Sequence, residues 1–261
     1  MMQGRLSHQG TRGYQGFPWD TWKNEFSLAA DRRLEHIEWM LDPVKVMDNP
    51  FIAETSELRE LTHETGVNVV SLCANFLMDN PFDLGDSYPW KILDALLFPM
   101  QEVGVRSLII PCVDKSSLRA EASYERFVKA SCALEKELKE TNIRVSLETD
   151  LDPVNFSILL DDLDPDFFSV NYDIGNSSFL GYRFEEEFDC YGIRISNIHI
   201  KDRLLGSRSV PLGQGNADII GVLARLKEMK FNGPATMEAF RDDNGLRVLD
   251  AQLRWLARAA E

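Results

Sequence analysis

The sequence predicts one (β/α)8 barrel spanning residues 1–261. Three observations lead there. Eight strand-length apolar runs alternate with longer amphipathic stretches, as in a parallel sheet with right-handed crossovers. No Pro/Gly/Ser-rich linker, charge block or low-complexity tract divides the chain, and its 261 residues match the roughly 250 of such a barrel. An open doubly wound sheet is the alternative, but it would carry a glycine-rich phosphate turn after its first strand. Gly4, Gly10, Gly13 and Gly16 are scattered through a polar segment without that spacing.

The elements follow in order. Met2 to Leu6 is a weak first strand. Clearer ones are His36–Trp39, Val67–Cys73, Ser107–Cys112, Ile143–Glu148, Phe168–Asp173, Ile195–Ile200 and Ala235–Glu238, all rich in Val, Ile, Leu and Phe. Between them, Thr55–Thr65 carries Leu58 and Leu61 on one face. Ser117–Thr141 carries Phe127, Ala130, Leu134 and Leu138 at helical spacing, and Ile219–Met229 and Gly245–Ala259 repeat the pattern. Gly66, Gly104, Asn142, Gly192 and Asn232-Gly233 stand where helices give way to strands, as C-caps do.

Composition narrows the function. Lys plus Arg number 28 and Asp plus Glu 42, a net charge of −14, which opposes nucleic-acid binding. The apolar run Leu93–Met100 falls far short of the ~20 residues that span a bilayer, and the polar opening Met1–Arg5 lacks the apolar core of a signal peptide. The four cysteines, Cys73, Cys112, Cys132 and Cys190, are widely spaced and read as reduced, buried thiols of a cytoplasmic protein.

The last four strands share a pattern. Each ends in a residue able to bind a metal: Glu148, Asp173, His199 and Glu238, separated by 25, 26 and 39 positions. Each gap is about one βα unit, so the four side chains come from successive strands at the end where barrel enzymes keep their sites. Two residues earlier on each strand stand Ser146, Asn171, Asn197 and Thr236. Side chains two apart share a face, so a polar layer lies beneath the site and can orient its ligands. The intervening Leu147, Tyr172, Ile198 and Met237 suit packing against outer helices. Three carboxylates and one imidazole favour Mn²⁺, Mg²⁺ or Co²⁺ with open positions, Zn²⁺ being an alternative. Without a cation the acids would repel, and some would have to protonate.

Leu147-Glu148-Thr149, Asp173-Ile174-Gly175-Asn176, His199-Ile200-Lys201-Asp202-Arg203 and Met237-Glu238 resemble the motifs of the sugar phosphate isomerase/epimerase family, a xylose isomerase-like group of (β/α)8 barrels. The opening Met2–Ser7, Phe17-Pro18-Trp19 and Ile37-Glu38-Trp39 are similar to that family as well. The resemblance implies one divalent cation on Glu148, Asp173, His199 and Glu238, with Glu148 and Glu238 as the acid/base pair. It also implies a small carbohydrate substrate and, less directly, a homo-oligomer.

The chemistry suits that site. Removing a proton beside a carbonyl leaves an enediolate; two carboxylates on opposite faces give epimerisation, and one shuttling between carbons gives aldose–ketose isomerisation. Dehydration of a cyclic polyol ketone through the same enolate is the alternative enzyme, and an inactive sugar-binding barrel the non-enzymatic one. A DNA-cleaving barrel with several metals would need more than the four histidines present.

Lys201, Arg203 and Arg208 follow the seventh strand. Arg208 is expected to steady the enediolate oxygen, and Lys201 or Arg203 a substrate phosphate or carboxylate. Glu38 is expected either to bind a sugar hydroxyl or to pair with a barrel cation. Asn75 stands where similar proteins often carry an acid. His8 reads as a surface histidine of the first βα loop, and Glu185-Glu186-Glu187 as a solvated helix face.

Overall fold

The computed structural model describes residues 1–7 and 16–260; His8 lies outside them. Seven strands form one parallel sheet in chain order: β1 (His36–Met40), β2 (Asn68–Cys73), β3 (Ser107–Cys112), β4 (Arg144–Thr149), β5 (Phe168–Asp173), β6 (Ile195–Ile200) and β9 (Ala235–Met237). A two-stranded hairpin, β7 (Asp202–Arg203) with β8 (Ser209–Val210), rises from the end of β6.

The sheet curls into a nearly closed barrel, and the chain start fills the gap between β1 and β9. Met2 bridges Glu38 in parallel and donates its N–H to the Met237 carbonyl at 3.1 Å, while Gln3 donates to the Glu38 carbonyl at 3.0 Å. The eighth strand is therefore a single bridge, shorter than the predicted Met2–Leu6. The cause is Glu25, buried on the helix Trp22–Asp31. Its carboxylate accepts the N–H groups of Gly4, Leu6 and Ser7 at 2.9 to 3.1 Å. Those donors are lost to any ladder, and the chain bends at Gly4, with φ 82°.

Helices cover the outside. Thr55–Thr65, Ile219–Glu228 and Leu246–Ala259 fall close to their predicted bounds, whereas the long helix is trimmed to Glu121–Leu138. Gly66 and Gly104 cap their helices in the left-handed conformation, at φ 69° and 88°. The other expected caps differ. Gly192 is right-handed and opens a 3-10 turn, and Lys230, at φ 55°, takes the left-handed position assigned to Asn232-Gly233. The helix before Asn142 ends at Leu138 on a right-handed Lys139.

The core lies between barrel wall and helices, as the alternation of strand residues requires. Leu147, Tyr172, Ile198 and Met237 are all buried there. At the N-terminal side Trp39 packs its ring 5.4 Å from both Phe17 and Trp22 and 5.6 Å from Phe51. Cys73 and Cys112 are buried as expected, but Cys132 and Cys190 are exposed on helices. Glu187 is also misplaced by the sequence pattern. It is buried, while Glu185 and Glu186 face solvent. Among the described residues, no helix is long and apolar enough to cross a membrane.

Candidate active site

Glu148, Asp173 and His199 leave the C-terminal ends of β4, β5 and β6 side by side. One donor atom from each lies within 4.8 Å of the other two, and all three residues are buried. Glu238, just beyond β9, brings Oε2 to 3.7 Å from His199 Nδ1. The four residues that the strand-end pattern singled out therefore meet. Glu238 stays outside the tight group of three, and its other oxygen, Oε1, is held by Lys201 Nζ at 2.9 Å and Arg5 Nη2 at 3.3 Å.

The layer beneath fixes these side chains. Asn171 donates to Glu148 Oε2 at 2.7 Å and lies 3.2 Å from His199 Nδ1; Asn197 holds the Asn171 carbonyl at 2.5 Å. The other two predicted members act lower down. Ser146 joins a hydroxyl cluster with Ser107, Ser169 and Ser196, and Thr236 pairs with His36 at 3.2 Å. From above, Asn176 donates to Glu148 Oε1 at 2.7 Å, and its N–H meets Asp173 Oδ1 at 2.8 Å.

Glu38 lies at the bottom of this stack, fully buried, away from the cavity wall. Its Oε1 meets His199 Nε2 at 2.7 Å and its Oε2 accepts from Ser71 at 2.7 Å. The expected contact with a sugar hydroxyl is thus replaced by one with the site histidine. The bond fixes the ring so that Nδ1 faces Glu148 at 3.2 Å and Asp173 at 3.9 Å. A carboxylate behind a histidine is the usual way to present the opposite nitrogen to a metal.

The electrostatics follow from burial and pairing. Burial raises the Asp173 carboxyl to about 6, against the pull of Lys201. Burial would raise Glu238 too, but Lys201 and Arg5 hold it down to about 2. Desolvation disfavours the charged form of His199, yet Glu38 and Glu148 push it well above the usual imidazole value. Four carboxylates thus face Lys201, Arg5 and a protonated His199. Replacing the His199 proton by a divalent cation would bring this cluster to neutrality. Oxygen-rich donors, an inward ring nitrogen and that charge balance all fit such an ion.

Above the cluster opens a cavity of about 1140 Å³ lined by Glu148, His199 and Glu238. Its wall carries both signs: Lys115, Arg119, Lys201, Arg203, Arg208 and Arg241 share it with Asp42, Asp79, Asp114 and Asp150, and Lys115 pairs with Asp79 at 2.7 Å and Arg119 with Asp150 at 3.4 Å. Lys201 is not at the rim, where a phosphate would be expected, but among the carboxylates, 3.3 Å from Asp173. Arg203 stacks 3.8 Å over Phe179 and donates to Asn176 and the Ser207 carbonyl. Arg208 stands exposed between β7 and β8. Asn75 lines the cavity and accepts from the Cys73 thiol at 2.8 Å.

Arg5 and Glu25 had not been singled out for these roles; Asn176 was expected to shape the loop beside Asp173, and it does so while also holding Glu148. The Gly4-Arg5 pair offered no strand-end position, and its partner Glu238 lies 233 residues away.

A parallel barrel with acids and a histidine gathered at the C-terminal ends of its strands defines a class of barrel enzymes. Within that class, residues 26–259 match the family model described as xylose isomerase-like TIM barrel, and the chain belongs to that family. It is 22% identical to a protein of Haemophilus influenzae provisionally named L-ribulose-5-phosphate 3-epimerase, with 92% of each chain covered. Among solved structures, it is similar to a 3-keto-D-glucoside 4-epimerase of E. coli in its apo form (TM-score 0.72, 16% identity, 98% of each chain covered). It is also similar to an IOLI protein with a bound zinc atom (TM-score 0.72, 15% identity, 91% of each chain covered).

Proposed function

We propose that this protein is a divalent-cation-dependent isomerase, epimerising or isomerising a ketose that carries a phosphate. The observation that carries this reading is the pairing of Glu148 and Glu238, two carboxylates on the wall of one cavity beside the same buried histidine. Glu148, Asp173, His199 and Glu238 would hold the cation. When bound, it would polarise the substrate carbonyl and steady the negative oxygen formed by proton loss.

The chain's own residues supply the rest. Lys201 and Arg5 keep Glu238 ionised, so its carboxylate can accept the proton from the carbon beside the carbonyl. The C–H electron pair passes into the enediolate. Glu148, oriented by Asn171 and Asn176, takes a proton from solvent and delivers it to the opposite face. Glu238 ends protonated and Glu148 ionised, and solvent resets the pair. Transfer back by one carboxylate to the neighbouring carbon would give aldose–ketose exchange instead. Arg203 and Arg208, reaching from the β7–β8 hairpin, suit a phosphate at the outer end.

The test is turnover of a panel of ketoses and ketose phosphates with Mn²⁺, Mg²⁺, Co²⁺ or Zn²⁺, followed by mass and stereochemistry. Conversion without mass change, lost in Glu148→Gln and Glu238→Gln, is expected. Loss of 18 mass units, as the dehydration of a ketone gives, would replace isomerisation by dehydration. Wild type that binds no divalent cation, or glutamine variants as active as wild type, would sink the reading.

A further inference from the structure

Behind the site, outside the barrel wall, stands a further buried carboxylate. Glu187, on the helix Phe184–Tyr191, is 3% exposed. It accepts hydrogen bonds from three hydroxyls. Tyr172 Oη on β5 donates at 2.7 Å, Tyr191 Oη at 2.9 Å, and Ser177 Oγ donates at short range. No cation is among these partners. Retaining an unpaired carboxyl here is costly, and burial accordingly raises it above the ordinary glutamate value.

Its partners are placed around the cation site. Tyr172 is the residue before Asp173. Ser177 sits in the helix Ile174–Leu180, whose N-cap is Asp173 itself. That helix carries Asn176, which holds Glu148 at 2.7 Å and Arg203 at 2.8 Å. Glu187 therefore grips the strand and the helix on either side of Asp173. A cavity of about 20 Å³ is lined by residues of both groups, Glu148, Asp173 and Asn176 as well as Ser177 and Glu187. That is room for about one water, so the two groups border one small internal space.

We propose that Glu187 is a positioning residue: by binding Tyr172 and Ser177 it fixes the helix Ile174–Leu180, and so sets Asp173 and Asn176 against Glu148. It touches neither substrate nor cation. The cation enters only the second readout below, which rests on the reading of the site given above.

Amide hydrogen exchange on the full chain is the first readout. In Glu187→Leu, amides of residues 174–180 are expected to exchange at least about ten-fold faster than in wild type, while β2 and β3 stay unchanged. Glu187→Gln keeps a carbonyl acceptor and should restore most of the protection. Tyr172→Phe and Ser177→Ala each remove one arm and serve if the leucine variant does not fold. The second readout is Mn²⁺ titration by calorimetry, where Glu187→Leu is expected to weaken binding on the order of ten-fold, as loss of a supporting partner does. Unchanged exchange in residues 174–180, or acceleration spread evenly over the barrel, would overturn the proposal. So would a leucine variant that binds Mn²⁺ as tightly as wild type. A wild type that binds no Mn²⁺ removes the cation reading instead, and the exchange pattern then decides on Glu187 alone.

Discussion

Glu238 stands between two lysine- and arginine-borne charges, and that decides its protonation. Arg5 Nη2 at 3.3 Å and Lys201 Nζ at 2.9 Å outweigh complete burial. Replacing Arg5 by Met removes one of the two, so the carboxyl rises. The acid limb of the kcat/KM profile should then move to higher pH, with kcat/KM falling within that limb and little changed above it. An unmoved limb would show that Arg5 does not act on Glu238. His36 gives a separate signal in stability. Burial holds it down to about 4 from 6.5, and Thr236 is its ring partner at 3.2 Å. The unfolded chain binds that proton below 6.5 and the folded one only near 4. Stability is therefore full above 6.5 and declines as pH falls towards 4, by roughly 3 kcal/mol for this residue. Chemical denaturation at pH 7 and 4.5 should show His36→Gln losing less stability between the two than wild type.

The elements around the site differ in how much the sequence discloses. The strand ends were legible because four residues of types able to bind a metal recur about one βα unit apart, and the polar residues two positions before them mark the same face. The eighth strand was not, because what shortens it is Glu25, a carboxylate on the next helix that takes the amides of Gly4, Leu6 and Ser7. Glu187 was misread for a similar reason: an acidic triplet shows charge, whereas its three hydroxyl partners are gathered only by folding. The β7–β8 hairpin was visible only as a basic loop. Its shape depends on Asp202, buried, accepting the N–H groups of Gly213 and Gly215 at 2.9 and 2.8 Å and of Ala217 at 3.2 Å. A Cβ on Gly215 would stand 2.1 Å from Asp202 Oδ1 and 2.6 Å from the Arg203 carbonyl. Gly215→Ala must therefore displace the strap that carries Arg203 and Arg208. KM for a phosphorylated ketose should rise by about ten-fold or more, with kcat less affected; an unchanged KM would detach these arginines from substrate binding.

At the scale of the molecule, the net charge of −14 bears on what the site admits. An acidic surface repels phosphorylated compounds in general, and we propose that Arg203 and Arg208, on the hairpin at the cavity wall, offer such a compound its one favourable approach. The same imbalance operates inside. With Glu38, Glu148, Asp173 and Glu238 packed around one histidine, the folded chain stores repulsion that the unfolded chain lacks, and on the proposed reading a divalent cation would relieve it only in the folded state. Binding to the native state alone stabilises by RT ln(1 + [L]/Kd), about 2.7 kcal/mol at a hundred-fold excess over Kd. For a barrel of this size that corresponds to a rise in Tm of roughly 5–10 °C. We propose that residues 1–261 fold as one domain, since Met2 hydrogen-bonds to β9 and bridges β1, tying the chain's start to its last strand. Calorimetry should then show one transition that moves upward as a whole on adding Mn²⁺ and returns with EDTA. Two transitions, of which only one responds, would divide the barrel into separate folding units. A single unresponsive transition would remove the cation from the site.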